Sequence, residues 1–349
     1  MHAMRIPLKL LLGALLTACA ASPAEDPPQE RWIQYVDNAG PGRGKHIVLI
    51  AAEPEYRSEE ALPMLAQLLS KRHGFDCTVL FAQDPLSGEV DPNEQHHMVG
   101  LEWLGQADLV VVFTRFCEWE PDEMQYLDQY LRRGKPVIGI RTATHAFETG
   151  ADRDGPYSHY AWDSPKPPGG FGGKVLGTTW IKYHGEHDVH STRAIPEGEE
   201  PLHPILRGVE PIWCETDIYA IDPLPGDARV LMRGEVLDGL TPDSPLAEGE
   251  RFADAVPVAW AREFELTTGK RMRVFATTMG SGRDFRDENL RRLFVNACYW
   301  TVGLDDKIPA VSSADTVEWY APSPSGFGKH LRGLQPVEMR RASRGVHRW

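Results

Sequence analysis

The sequence predicts an α/β fold, with a mostly parallel central sheet covered by helices on both faces. Three observations predict it. Short runs of aliphatic and β-branched residues recur at 46–52, 75–81, 109–113 and 136–138. They are short for helices and too evenly apolar for strands with one wet face. Between them lie amphipathic segments, with Leu62, Leu65, Leu68 and Leu69 on one stripe and Met124, Leu127, Tyr130 and Leu131 on the next. Strands that alternate with helices run parallel, because a parallel neighbour needs a long crossover.

Taken in order, the first strand empties into the polar loop Glu53-Pro54-Glu55-Tyr56-Arg57-Ser58. Ser58 is placed to cap the helix that follows, and Glu59 and Glu60 suit its positive end. His73-Gly74 closes that helix, and 75–81 is the second strand. Residues 84–97 are rich in turn formers, and 101–104 suggests a short helix. The third strand delivers Thr114-Arg115-Phe116, Pro121 opens the next helix, and Gly134 ends it. The fourth strand leads into the polar stretch GIRTATHAF at 139–147. The loop 150–173 carries Tyr157, His159, Tyr160, Trp162 and Phe171. These rings read either as an ordered flap over a sugar cleft or as cover for the core. Further strands are expected at 229–233, 256–260 and 272–278, with a hairpin turn at 268–270. A helix over 287–300 turns Leu290, Leu293, Phe294, Ala297 and Trp300 inward. Residues 304–349 read as an extended tail with a basic end at Arg340, Arg341, Arg344 and Arg348.

The N-terminus is a targeting segment rather than fold. Arg5 and Lys9 precede an apolar run at 10–16, of signal-peptide length and too short to span a bilayer. Leu16-Thr17-Ala18-Cys19 then resembles the bacterial lipobox. The expectation is a lipoprotein signal peptide over 1–18, lipidation at Cys19, and export, with the acyl chains as the sole contact with a membrane. An ordinary signal peptide cleaved nearby is the alternative. Residues 19–44, rich in Ala, Pro, Gly and acids, read as a tether to a folded domain over 45–303. Lys and Arg number 37 against 50 Asp and Glu. That balance speaks against nucleic acid, whose phosphates need concentrated cations. Cys77, Cys117, Cys214 and Cys298 are too scattered for a disulfide framework and read as buried thiols.

Candidate site residues follow from position and type. In open α/β folds ligands bind at the carboxyl ends of strands. Arg141 and His145 put a cation and an imidazole there, four residues apart. The alternative is a surface ion pair for Arg141 and local packing for His145. His184, His187 and His190 crowd into seven residues, and zinc-like metals favour such ligands. A turn at Gly185 is needed to bring His184 and His187 together; hydrogen-bonded loop histidines are the alternative. Glu215 and Asp217, two apart, face one side if the segment is a strand. Both then suit acid–base work in a cleft, or else lie on a solvated edge.

Nine strings in order resemble the trehalose-utilisation, or ThuA-like, family over 45–303. They are IVLIAAEPEYRSEEALPML from Ile47, DLVVVFTRF from Asp108, GKPVIGIRTATHAF from Gly134, HGEH from His184, HPILRG from His203, ETDIY from Glu215, PVAW from Pro257, RVFATTMG from Arg273 and NLRRLFVNACYW from Asn289. The resemblance implies a flavodoxin-like, class I glutamine amidotransferase-like three-layer sandwich and a role in carbohydrate metabolism. It implies action on a sugar or a keto- or otherwise oxidised glycoside, with a divalent metal. Amidotransferases place a nucleophilic Cys at the turn that reads Gly139-Ile140-Arg141-Thr142 here, so glutaminase chemistry is not expected. On this reading His145, Glu215 and Asp217 are catalytic. Arg141, Arg115, Thr144 and Tyr56 hold a small carbohydrate, and His184 and His187 hold the metal. The second reading is a non-catalytic lipoprotein that binds a sugar or a partner.

Overall fold

The computed structural model describes residues 30–37, 39–149, 154–198 and 202–342. The stretch 1–18 read as a signal peptide, Cys19, Arg344 and Arg348 lie outside the described residues. Among the described residues there are twelve strands and three longer helices. They are β1 (Ile33–Tyr35), β2 (His46–Ala52), α1 (Ser58–His73), β3 (Asp76–Phe81), β4 (Leu109–Thr114), α2 (Pro121–Arg132), β5 (Val137–Ile140), β6 (Trp180–Tyr183), β7 (His190–Pro196), β8 (Ile212–Cys214), β9 (Tyr219–Ile221), β10 (Ala228–Asp238), β11 (Val256–Glu265), β12 (Arg271–Thr277) and α3 (Glu288–Thr301).

Ten strands form one sheet in the order β1-β3-β2-β4-β5-β12-β11-β10-β7-β8. The centre, β3-β2-β4-β5-β12, is parallel throughout. Its strands are apolar on both sides because both faces are covered. Along β2, Ile47, Leu49 and Ala51 join the core beneath α1 and α3, whereas Val48, Ile50 and Ala52 join the core beneath α2. The sheet then continues as an antiparallel wing of β11, β10, β7 and β8. The strands expected at 229–233 and 256–260 lie in this wing and the hairpin turn expected at 268–270 joins it to β12, whereas β7 and β8 were not expected from the sequence. No helix crosses over between these strands; the Thr268-Gly269 turn joins β11 directly to β12, which forces an antiparallel pairing.

Two expectations are corrected. Residues 33–35 fall in the stretch read as a tether, yet they pair with β3 as an antiparallel edge strand. Ile33 and Tyr35 bury their side chains there, and that burial outweighs the loop-like composition around them. Ser58 does not cap α1. The N-cap is Arg57, in the left-handed region at φ 61°, and the Ser58 hydroxyl instead accepts the Glu53 N–H at 3.1 Å. At the other end Gly74 stops α1 as read, its φ of 77° directing its N–H back to the Leu69 and Ser70 carbonyls.

Gly139 sits where β5 passes under the loop at Leu176. A Cβ there would stand 2.7 Å from a Leu176 methyl and 3.2 Å from the Ala143 Cβ. Gly139→Ala is expected to destabilise the protein by about 1–3 kcal/mol through overpacking, read as a lower urea midpoint at unchanged slope.

Candidate functional site

Four segments converge beyond the carboxyl ends of the parallel strands. The loop after β2 brings Glu53, Glu55 and Tyr56; β4 leads into Arg115 and Phe116; β5 runs into the single helical turn Arg141–His145; and the small β6-β9 sheet with its flanking turns adds Trp180, Tyr183, His187, Asp217 and Tyr219. From β2 the chain first goes to β3 on one side and then to β4 on the other. The crevice where order reverses is where such sheets bind ligands. Tyr56, Arg115, Phe116, Arg141, Thr142, His145, Trp180, Tyr183, His187, Asp217 and Tyr219 enclose a cavity of about 150 Å³ there.

Backbone strain gathers at the same place. Among the described residues four non-glycine residues have positive φ: Arg57, Phe116, Arg141 and Asp188. Phe116 and Arg141 line the cavity, Arg57 follows Tyr56, and Asp188 follows His187. Each such conformation costs on the order of 1–3 kcal/mol and persists where surrounding structure imposes it, above all at functional sites. The turn at Arg141, φ 45°, keeps the sharp strand-to-helix bend of a nucleophile elbow, but it carries a guanidinium.

That guanidinium is buried and pointed inward. Arg141 donates to the Asp217 carbonyl at 3.1 Å and the Thr278 carbonyl at 3.0 Å, approaches Asp217 Oδ1 at 3.4 Å, and lies 3.8 Å over the Tyr56 ring. Arg115 is held in the same manner by Glu55, in close contact, and by Glu53 at 3.8 Å. Glu53 is wholly buried. Desolvation pushes its carboxyl up to about 7, against the pull of the Tyr56 N–H and Arg115.

The two cavity histidines are driven in opposite directions. Burial, then the positive charges of Arg115 and Arg141, holds His145 well below the usual histidine value of 6.5. The hydrogen bond from His187 Nδ1 to Asp217 Oδ1, 2.8 Å, raises His187 above it, helped by the charges of Asp217 and Glu55 against a smaller desolvation.

Counting protons gives the His145 tautomer. The Tyr219 hydroxyl donates its one proton to the Arg141 carbonyl. Its 2.8 Å bond with Thr144 Oγ1 is therefore one it accepts. Thr144 has then used its own proton and must accept in the 3.2 Å bond with His145 Nδ1. So Nδ1 carries the imidazole proton, and Nε2 presents a lone pair.

The sequence-derived candidates divide accordingly. Tyr56, Arg115, Arg141, His145, His187 and Asp217 come together. Thr144 does not line this cavity; its hydroxyl orients His145. Glu215 does not join them. β8 ends at Cys214 and the next residues turn, so spacing of two no longer means a shared side, and Glu215 pairs with Arg283 and Arg286 instead. His184 also diverges from His187 and packs edge-on against Phe252, 5.6 Å between centroids. Among the described residues no three His, Cys, Asp or Glu side chains gather as metal ligands. The acids beside His187, Glu55 and Asp217, are already bonded to arginines. All four described cysteines are buried free thiols, and desolvation pushes Cys117 up to about 12, which leaves it inert. Glu53, Glu55, Phe116, Trp180, Tyr183 and Tyr219 were missed. Glu53, Glu55, Phe116 and Tyr219 had one legible signal, a place inside a string already noted; Trp180 and Tyr183 had none.

A larger cavity, about 270 Å³, is lined by Glu118, Glu120, Glu148 and Tyr157, with no Arg or Lys among its walls. It has no counterpart of the paired charges and opposed histidines.

A sequence model of the family described as trehalose utilisation, ThuA, matches residues 48–301. Among solved structures, a protein from Bacteroides uniformis described as ThuA-like is 16% identical, with 80% of this chain and 95% of that one covered and a TM-score of 0.44. One from Parabacteroides merdae, described likewise, is 13% identical over 82% of this chain and 96% of that one, with a TM-score of 0.45. No curated protein sequence matches the chain.

Proposed function

The chain belongs to the trehalose-utilisation, ThuA, family, and from that premise we propose that it is an enzyme that moves protons on a sugar, with a keto- or otherwise oxidised glycoside as substrate. The observation that carries this reading is the opposed pair of histidines on one small cavity. Where environments push two titratable groups apart, acid and base are assigned. His145 Nε2 is the base, and His187, kept protonated by Asp217, is the acid. A proton taken from a carbon beside a carbonyl leaves an enolate. One given to the departing oxygen then completes elimination of an alcohol; one given to the enolate oxygen instead forms an enediol, and protonation at the neighbouring carbon with loss of the other hydroxyl proton completes isomerisation. Arg141, Tyr56 and Thr144 position these groups, and no step is assigned to a metal.

Size and charge support a neutral sugar. Clefts for drug-sized ligands run to roughly 300–1,000 Å³, so about 150 Å³ suits one sugar ring. Arg141 faces Asp217, and Arg115 faces Glu55 and Glu53, so neither cation is left for an anionic substrate. Phe116, Trp180 and Tyr183 supply the rings against which a sugar packs. In this proposal the parallel centre is flavodoxin-like; its order, second-first-third-fourth-fifth along the chain, supports that. Export with a lipid anchor at Cys19 completes the reading and rests on the lipobox-like string.

The test is turnover of trehalose and of its mono-oxidised keto derivative, followed by product analysis. The expected pH profile of kcat/KM is bell-shaped, with its acid limb below pH 6.5 and its alkaline limb above it. As pH falls through the lowered His145 value the base is protonated, and as pH rises through the raised His187 value the acid is lost. His187→Gln removes the alkaline limb. Sugar binding without turnover by the intact chain at every pH would assign it instead to the non-catalytic reading.

A further inference from the structure

The C-terminal segment after the family-matched region closes on the site. Gly326 N–H donates to the Glu55 carbonyl at 2.7 Å, and Arg57 donates back to the Gly326 carbonyl at 2.9 Å. Ser323 N–H reaches the Glu60 carboxylate at 3.1 Å, and the Tyr320 hydroxyl donates to the Gly282 carbonyl at 2.7 Å. Gly326 has φ 126°, which a side chain rarely adopts, and this bend carries the chain outward at Phe327. The Phe327 ring lies 5.0 Å from the Arg115 guanidinium, with Phe116 on the same guanidinium at 5.5 Å. Phe116 lines the cavity. Phe327 does not, and is 59% exposed.

A large aromatic ring left that exposed, yet held through its neighbour Gly326 by a backbone hydrogen bond to Glu55 and one from the Arg57 side chain, is not packing the core. Its conformational cost is already met before any ligand arrives. The cavity accommodates one ring, so the second unit of a glycoside must leave by the mouth. Resting on the reading above, we propose that Phe327 is the platform of a second sugar subsite: one unit enters the cavity, and the unit attached to it stacks on Phe327. The residue thus selects disaccharides over free monosaccharides. Arg115, fixed between Phe116 and Phe327, joins the two subsites rigidly.

The test compares the full chain with Phe327→Ala and Phe327→Tyr. The probes are keto-trehalose and the keto derivative of glucose, each assayed for KM and kcat. Loss of one stacking contact raises KM for the disaccharide about tenfold in Phe327→Ala. kcat and the monosaccharide KM stay within about twofold, and Phe327→Tyr keeps the disaccharide preference. Thermal melting checks that Phe327→Ala is folded. Equal losses for both probes, or none for either, overturn the subsite and leave the proposed chemistry standing. No turnover of either probe by the unaltered chain overturns the chemistry itself, and the subsite with it.

Discussion

His145→Gln lowers kcat by about 10²–10⁴-fold while leaving the melting temperature nearly unchanged. Glutamine preserves a donor toward Thr144 Oγ1 and approximates the volume of imidazole, but it has no basic nitrogen to present to the cavity. The proton count at Tyr219, Thr144 and His145 leaves Nε2 as the free lone pair. Burial with Arg115 and Arg141 keeps that lone pair unprotonated well below pH 6.5. A base that is neutral across the physiological range and dry on one side suits abstraction from carbon. The decisive measurement is single-turnover rate on keto-trehalose beside the unfolding curve. An unchanged rate removes His145 from the chemistry, and a collapsed unfolding curve would make it structural.

The second large effect is on stability. Asp217→Ala is expected to cost about 3–5 kcal/mol, the usual penalty for breaking a buried ion pair. Asp217 and Arg141 are 3% and 1% exposed. Truncation leaves a guanidinium with two carbonyl acceptors and the Tyr56 ring but without its paired carboxylate, and only the charge of Asp284 still acts on it. The same change removes the hydrogen bond that is the main cause raising His187. In whatever fraction remains folded, the alkaline limb of the pH profile therefore shifts to lower pH. Asp217→Asn keeps the shape and loses the charge, so it separates the two effects. Urea unfolding and kcat/KM against pH measure both. A loss under about 1 kcal/mol would show that the pair is solvated enough to be an ordinary surface bridge.

The charge balance of the cavity has a consequence for mutation. Arg115 is shared between Glu53 and Glu55, and Arg141 between Asp217 and the Tyr56 face. Each acid holds a cation in place, so removing one exposes the other to the low-dielectric interior. Such a site is positioned by mutual constraint, in keeping with the strained φ values at Arg57, Phe116, Arg141 and Asp188.

Local chemistry made much of this protein legible in sequence. Apolar runs of strand length announced β2 to β5, because a strand buried on both faces tolerates nothing else. The polar residues that end those runs announced Tyr56, Arg115, Arg141 and His145, since a strand's carboxyl end is where this kind of sheet opens to ligands. Tertiary structure decided what spacing alone cannot carry. Glu215 and Asp217 are two apart in sequence, but a turn after Cys214 sends one to Arg283 and Arg286 and the other beneath Arg141. His184 and His187 part company in the same way at the turn after β6. Edge pairing drew β1 out of an apparent tether, and the lack of crossover helices made the antiparallel wing. Which nitrogen of His145 presents its lone pair depends on a hydroxyl chain from Tyr219 across 75 residues to Thr144. Charge and periodicity are written along the chain, whereas the direction of a proton is set by neighbours that only folding brings together.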